Sequence, residues 1–169
     1  MISKYGERLS FVPPNAEASV CRAFFLELRH FIETRGPFDG LMGFSEGASI
    51  VATVMAEDQR RPFARLKCAI LFCTLATVDP ILFYSKKSEI RFLDAAVDGV
   101  SVRVPTAHIW SNNDNVAQGA PQKVAELFDE STREDMIHNL GHDIPGSRSD
   151  EGVQEAIQII ERIIERGKD

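Results

Sequence analysis

One pentapeptide, Gly43-Phe44-Ser45-Glu46-Gly47, constrains this chain more than any other stretch. A short hydrophobic run, Phe38-Asp39-Gly40-Leu41-Met42, precedes it, and an apolar helical pattern over residues 46–58 follows. A strand turning sharply into a helix, with serine at the apex, is the setting in which a G-x-S-x-G pattern carries chemical meaning. The glycines remove side chains where strand and helix nearly touch. The serine hydroxyl is therefore expected at the carboxyl end of a strand. Beside it stands a helix N-terminus whose N–H groups can stabilise an oxyanion.

The stretches on either side alternate between helical and strand patterns. Residues 19–35 place Val20, Phe24, Leu28, Phe31 and Ile32 at helical spacing, with Cys21 and Phe25 widening the stripe, and Gly36-Pro37 stops the helix. His30 falls among its exposed positions. The helix over 46–58 is apolar nearly all round (Ala48, Ile50, Val51, Ala52, Val54, Met55), which predicts burial on several sides. Arg60-Arg61 reads as its solvated end. Residues 66–72 form a near-continuous apolar run, the mark of a parallel strand covered on both faces.

Residues 73–102 are the least regular, with a short helix expected around 90–97. This insertion either walls a substrate pocket or serves as a surface connection. Residues 105–110 read as another buried strand with His108 packed inside it, then comes the polar loop 111–115. Pro121 opens a helix carrying Val124, Leu127 and Phe128, residues 135–138 form a short strand, and a turn occupies 139–145. The last helix, 151–166, carries Val153, Ala156, Ile157, Ile160, Ile163 and Ile164, with Ser149 or Asp150 as its cap and Gly167 as its stop. At the start, Leu9-Ser10-Phe11-Val12 reads as a short strand. The alternation predicts one α/β domain over residues 1–169, with a mostly parallel sheet and helices on both faces.

Composition narrows the function classes. A net charge of −6 argues against a nucleic-acid partner or an anionic membrane surface. No apolar run reaches the length of a membrane span, and the first residues lack the apolar core of a secretory signal. The 3 cysteines, Cys21, Cys68 and Cys73, form no C-x-x-C pair and read as small buried side chains in a reducing compartment. A cytoplasmic location is the expectation. No two His or Cys residues have zinc-site spacing, so neither a metal nor another cofactor is expected.

In a parallel α/β sheet, reactive groups collect at the carboxyl ends of strands. Ser45, Asp114 and His142 fall at three such ends, in the chain order of the α/β-hydrolase triad. The residue types suit the chemistry. A serine hydroxyl is a poor nucleophile until an imidazole takes its proton, and the imidazole needs a carboxylate to set its tautomer. Asp143 and Asp129 are rival carboxylates, and His138 is the rival base. His142 is preferred because it lies in a Gly-flanked loop just beyond the strand that holds His138.

Three stretches taken together resemble the small serine hydrolases of the FSH family, abundant in fungi. They are Gly36-Pro37-Phe38-Asp39-Gly40 running into Gly43-Phe44-Ser45-Glu46-Gly47-Ala48, then Val104-Pro105-Thr106-Ala107-His108-Ile109-Trp110 leading to Asp114, then His138-Asn139-Leu140-Gly141-His142-Asp143-Ile144-Pro145. The resemblance implies an α/β-hydrolase fold with Ser45 as nucleophile, His142 as base, Asp114 as orienting acid and the Glu46 backbone N–H as an oxyanion donor. It implies hydrolysis of a small-molecule acyl ester or thioester, including carrier-bound polyketide thioesters of fungal secondary metabolism.

Family members usually begin with a strand and a Leu-His-Gly-type loop that supplies a second oxyanion donor. No such pattern precedes residue 9, which implies an N-terminally shortened domain. Such a domain is expected to leave an open sheet edge beside the Ser45 strand, where a second copy could pair into a homodimer. The alternative function is a catalytically weak hydrolase-like binding protein. Ser111 stands where the family usually has Gly, and Cys73-Thr74 where Ser-Gly is common.

Overall fold

The computed structural model describes residues 16–84, 89–99, 101–146 and 150–168. The short strand expected at residues 9–12 and the cap expected at Ser149 lie outside them. Within the described residues, four strands lie side by side in sequence order: β1 (Gly40–Phe44), β2 (Cys68–Phe72), β3 (Thr106–Ser111) and β4 (Arg133–His138). All three pairings are parallel. Helices α1 (Ala18–Arg35), α2 (Glu46–Arg60), the short α3 (Ala95–Asp98), α4 (Ala120–Ala125) and α5 (Asp150–Arg166), with a 3-10 turn at Pro80–Phe83, complete the described order. Helices cover both faces of the sheet, as the near-continuous apolar runs require.

The two-residue period of a strand divides the core. On β2, Ala69 and Leu71 join α2 and Val124 of α4 in one apolar cluster. Cys68, Ile70 and Phe72 point the other way, into a second cluster with Ala156, Ile159 and Ile163 of α5. All three cysteines are buried free thiols, in keeping with the expectation from their spacing. Among the described residues β1 forms one edge of the sheet, and Met42 on it is 60% exposed. No helix among them is long and apolar enough to cross a membrane.

Helix faces differ in detail from the periodic reading. In α1 the buried line is Ala18, Cys21, Phe25 and Ile32, while Val20 and Phe31 are exposed. In α5 the buried line is Ala156, Ile159 and Ile163, and Ile157 and Ile164 stand at the exposed margin. Helix α4 ends at Ala125; Leu127 and Phe128 are buried beyond it, in the following turn. No helix runs through 90–97. Ile90 and Phe92 belong instead to an arch whose described segments, 76–84 and 89–93, are joined by a Val78–Phe92 bridge and by hydrogen bonds from Asp79 N–H to Arg91 O and Leu93 N–H to Thr77 O. Helical turns are described at Pro80–Phe83, as a 3-10 turn, and at α3, which overlaps the end of the expected helix.

The arch is pinned to α2 by charge. Asp79, almost fully buried, accepts from Arg60 at 3.0 Å and from Arg91 at 2.7 Å, and Arg91 also pairs with Asp98 at 2.7 Å. Burial alone would raise the Asp79 pKa, but the Ile81 N–H and Arg91 outweigh it and hold the carboxyl below its ordinary value. The Arg61 guanidinium lies 4.1 Å over the Tyr84 ring. Arg60 and Arg61 stand exposed at the end of α2, as expected, and from there also tether the arch. The arch folds back over the last turn of α2 and supplies partners that helical spacing could not reveal.

A second clamp closes the loop from α2 to β2. Asp58 accepts backbone N–H groups from Phe63 (2.8 Å), Ala64 (2.8 Å), Arg65 (3.1 Å) and Leu66 (2.7 Å), and is 3% exposed. Removing a buried acceptor that satisfies four backbone donors costs more than one hydrogen bond's net worth. Asp58→Ala is expected to lower unfolding free energy by about 3 kcal/mol, measured as a lowered urea midpoint at unchanged slope.

His108 is a packed core residue as expected, 2% exposed and edge-on to Phe128 with centroids 4.5 Å apart. Burial, with a smaller effect from Arg133, pushes its pKa down to about 3. The unfolded chain, with an ordinary histidine near 6.5, therefore binds the proton first as pH falls. Stability is full above about pH 6.5 and declines below it. Acidification from pH 7 to 5 is expected to cost about 2 kcal/mol from this residue. Urea unfolding of His108→Leu should show a flatter pH dependence across that window.

Candidate active site

Ser45 sits between the last residue of β1 and the first of α2, with φ 55° and ψ −118°. This left-handed geometry is costly for a residue with a side chain. Local contacts hold it in place. Ser45 N–H donates to Phe72 O of β2 at 2.8 Å, and Ser45 O accepts the Ser49 N–H of α2 at 3.1 Å. Gly43 makes the turn possible. A Cβ there would lie 2.4 Å from Gly47 O and 2.6 Å from Ala48 N, both backbone atoms. Glu46, whose N–H is the expected oxyanion donor, is the first residue of the 15-residue helix.

The three strand ends converge. His142 Nε2 lies 2.8 Å from Ser45 Oγ, and His142 Nδ1 lies 2.7 Å from Asp114 Oδ2. The carboxylate facing His142 Nδ1 is therefore Asp114. Its other oxygen, Oδ1, accepts the N–H groups of Val116 (2.8 Å) and Ala117 (2.9 Å). Burial would raise the Asp114 pKa, but the His142 hydrogen bond and those two N–H groups hold it below the ordinary carboxylate value. The group stays ionised at neutral pH.

The rivals are used elsewhere. Asp129 accepts from Ser131, and the Asp143 carboxylate accepts its neighbour's Ile144 N–H. His138 is buried at the last position of β4, where its Nδ1 accepts the Leu140 N–H.

Several residues around this relay carry no sequence pattern that would single them out. Phe44 packs its ring 5.1 Å from that of His142. Ser111 Oγ donates to Asn113 Oδ1 and accepts the Gly141 N–H at 3.2 Å, and Gly141 N–H also reaches Asn113 Oδ1 at 3.0 Å. Asn113 Nδ2 donates to Asn139 O at 3.1 Å. This clasp ties the Asp114 loop to the His142 loop. The departure from Gly at Ser111 was the one available signal for it.

Cys73 is fully buried at φ 49°, and its Sγ contacts Asp143 O at 3.5 Å. Burial, then the charge and hydrogen bond of Asp114, push this thiol up to about 12. Cys73, Asp114 and His142 offer potential ligand atoms within 4.8 Å of one another. His142 Nδ1 and Asp114 are hydrogen-bonded to each other.

Comparison with known proteins gives the family and the fold. The family described as Serine hydrolase (FSH1) matches residues 13–156. The chain is 34% identical over 144 residues to "Esterase FPY3" of Fusarium mangiferae, covering 82% of this chain and 62% of that protein. It is 33% identical over 119 residues to "Esterase C25G4.2" of Caenorhabditis elegans, covering 68% of this chain and 48% of the relative. It thus spans about half to three fifths of the length of these relatives. Among solved structures, acyl-protein thioesterase 2 of Zea mays superposes with a TM-score of 0.57 at 16% identity, covering 94% of this chain and 70% of that one. At that identity the likeness concerns the fold, which is that of the α/β-hydrolases. With most of its length matched, the serine turn included, this chain belongs to the FSH1 serine hydrolase family.

Proposed function

We propose that this chain hydrolyses a carboxylic ester or thioester through an acyl-enzyme on Ser45. The observation that carries the reading is the relay from Ser45 Oγ through His142 to Asp114, with spacings of 2.8 and 2.7 Å. His142 Nε2 takes the Ser45 proton as Oγ attacks the acyl carbonyl carbon. The developing oxyanion lies toward the first turn of α2, where the Glu46 N–H and the helix dipole favour negative charge. As the tetrahedral species collapses, His142 returns the proton to the leaving oxygen or sulfur. Water, deprotonated by the same imidazole, then attacks the ester on Ser45 and releases the acid.

A small acyl ester or a carrier-bound thioester suits this chemistry equally. The test is rapid mixing with a p-nitrophenyl ester. A burst of phenolate, with an acyl adduct mapped by mass spectrometry to Ser45, is the expected result. Release without an adduct on Ser45 would contradict it.

A second reading is favoured by the exposed edge strand β1 among the described residues. There the chain binds without turnover, and a second copy completes its sheet. Sedimentation separates the two: a concentration-dependent dimer that forms no acyl adduct supports the second.

A further inference from the structure

We infer that the apolar cavity between α1, α2 and the arch segments 76–84 and 89–93 is the acyl-chain pocket, and that it selects a linear apolar acyl group on the order of ten carbons long. This rests on the acyl-enzyme reading above. The cavity encloses about 380 Å³, within the range of small-molecule sites. At about 30 Å³ per water-sized group, it holds on the order of ten such groups.

Its position ties it to the nucleophile. Glu46, adjacent to Ser45, lines it, and so do Ser49, Ile50 and Thr53 further along the same helix. These positions lie on one face of α2, so the cavity runs from the serine turn for about two helical turns, roughly 10 Å. Phe25 of α1 and Ile90 of the arch form the opposing walls. Neither His142 nor its loop is among the described lining residues. The leaving group must depart beside His142, which protonates it. The side toward Glu46 is therefore left to the acyl chain.

The walls also say what kind of chain. The lining hydroxyls already serve the protein. Ser49 Oγ accepts the Leu75 and Ala76 N–H groups at 3.1 Å each and donates to Ser45 O at 3.4 Å. Thr53 Oγ1 accepts the Val78 N–H at 3.0 Å and donates to Ser49 O at 2.8 Å. A polar acyl chain would lose its water without regaining partners from these groups, whereas methylenes lose nothing. The same hydrogen bonds bolt the arch to α2, which keeps the wall fixed.

The test is the rate constant kcat/KM for p-nitrophenyl esters of straight-chain acids from acetate to palmitate, so that only the acyl side changes. The expected result is a rise of about fourfold per methylene, about 0.8 kcal/mol each, that levels off near ten carbons and falls for palmitate. Ile90→Trp should lower the decanoate-to-acetate ratio at least tenfold, and Ile90→Ala should move the optimum to longer chains. Acetate turnover with no chain-length preference, or a ratio unchanged in both variants, would overturn the pocket assignment alone. If Ser45 is not acylated even by the acetate ester, the parent reading fails, and the pocket assignment with it.

Discussion

Substituting His142 with alanine is expected to lower kcat by about a million-fold while leaving the fold intact. His142 stands in a loop at the mouth of the site, and its removal leaves Asp114 still held by the Val116 and Ala117 N–H groups. Asp114→Asn should cost about ten-thousand-fold. The amide keeps the shape but favours the wrong tautomer of the imidazole, since it can donate toward Nδ1 where the carboxylate only accepts. The contrast between the two is informative. An Asp114→Asn loss as large as that of His142→Ala would mean the carboxylate does more than orient. Steady-state kinetics on acyl thioesters, with circular dichroism as the folding control, checks both.

The second large effect lies in the turn itself. Gly43→Ala places a methyl group 2.4 to 2.6 Å from the Gly47 and Ala48 backbone. Neither side can yield as a flexible side chain would, because β1 is paired to β2 and α2 is buried against the sheet. The chain must open the serine turn or lose packing. A stability loss of about 3 kcal/mol or more is expected, together with at least a hundredfold loss in rate. Displacement of Ser45 Oγ by about 1 Å is enough for the latter. Urea unfolding and acylation of the folded fraction measure the two effects separately.

The parts of this molecule legible in its sequence are those written as local patterns. The alternation of buried strands and helices follows from periodicity, and the serine turn from its two glycines. The order of Ser45, Asp114 and His142 at three strand ends follows from the parallel topology. Faces of helices were less legible. The apolar residues of α1 nearly encircle it, so no single face stands out. The burial of Cys21 and Phe25 is decided by Ile50 of α2 and by Val78 and Ile90 of the arch. In α5 the stripe is clear but wide, and contact with β2 and β3 selects its centre at Ile159 and Ile163.

Outside the Ser45, His142 and Asp114 set, long-range polar contacts were not legible. Asp79 meets Arg60 across 19 positions of sequence, and Ser111 meets Gly141 across 30. Such pairs leave no periodic trace, because they depend on where the fold brings loop ends together. The irregular 73–102 stretch is the clearest example. Its sequence suggests a short helix around 90–97, whereas its described segments 76–84 and 89–93 form an arch held by Asp79 and by the hydroxyls of Ser49 and Thr53.

The central claim is that Ser45 is a nucleophile activated by His142 and Asp114. The most direct measurement is titration of the purified chain with a fluorophosphonate probe, beside Ser45→Ala and His142→Ala. The account predicts stoichiometric labelling of the wild type on Ser45, none in Ser45→Ala, and labelling slowed to near the background rate in His142→Ala. A folded wild-type chain that does not react, or that reacts equally well without Ser45, would contradict it.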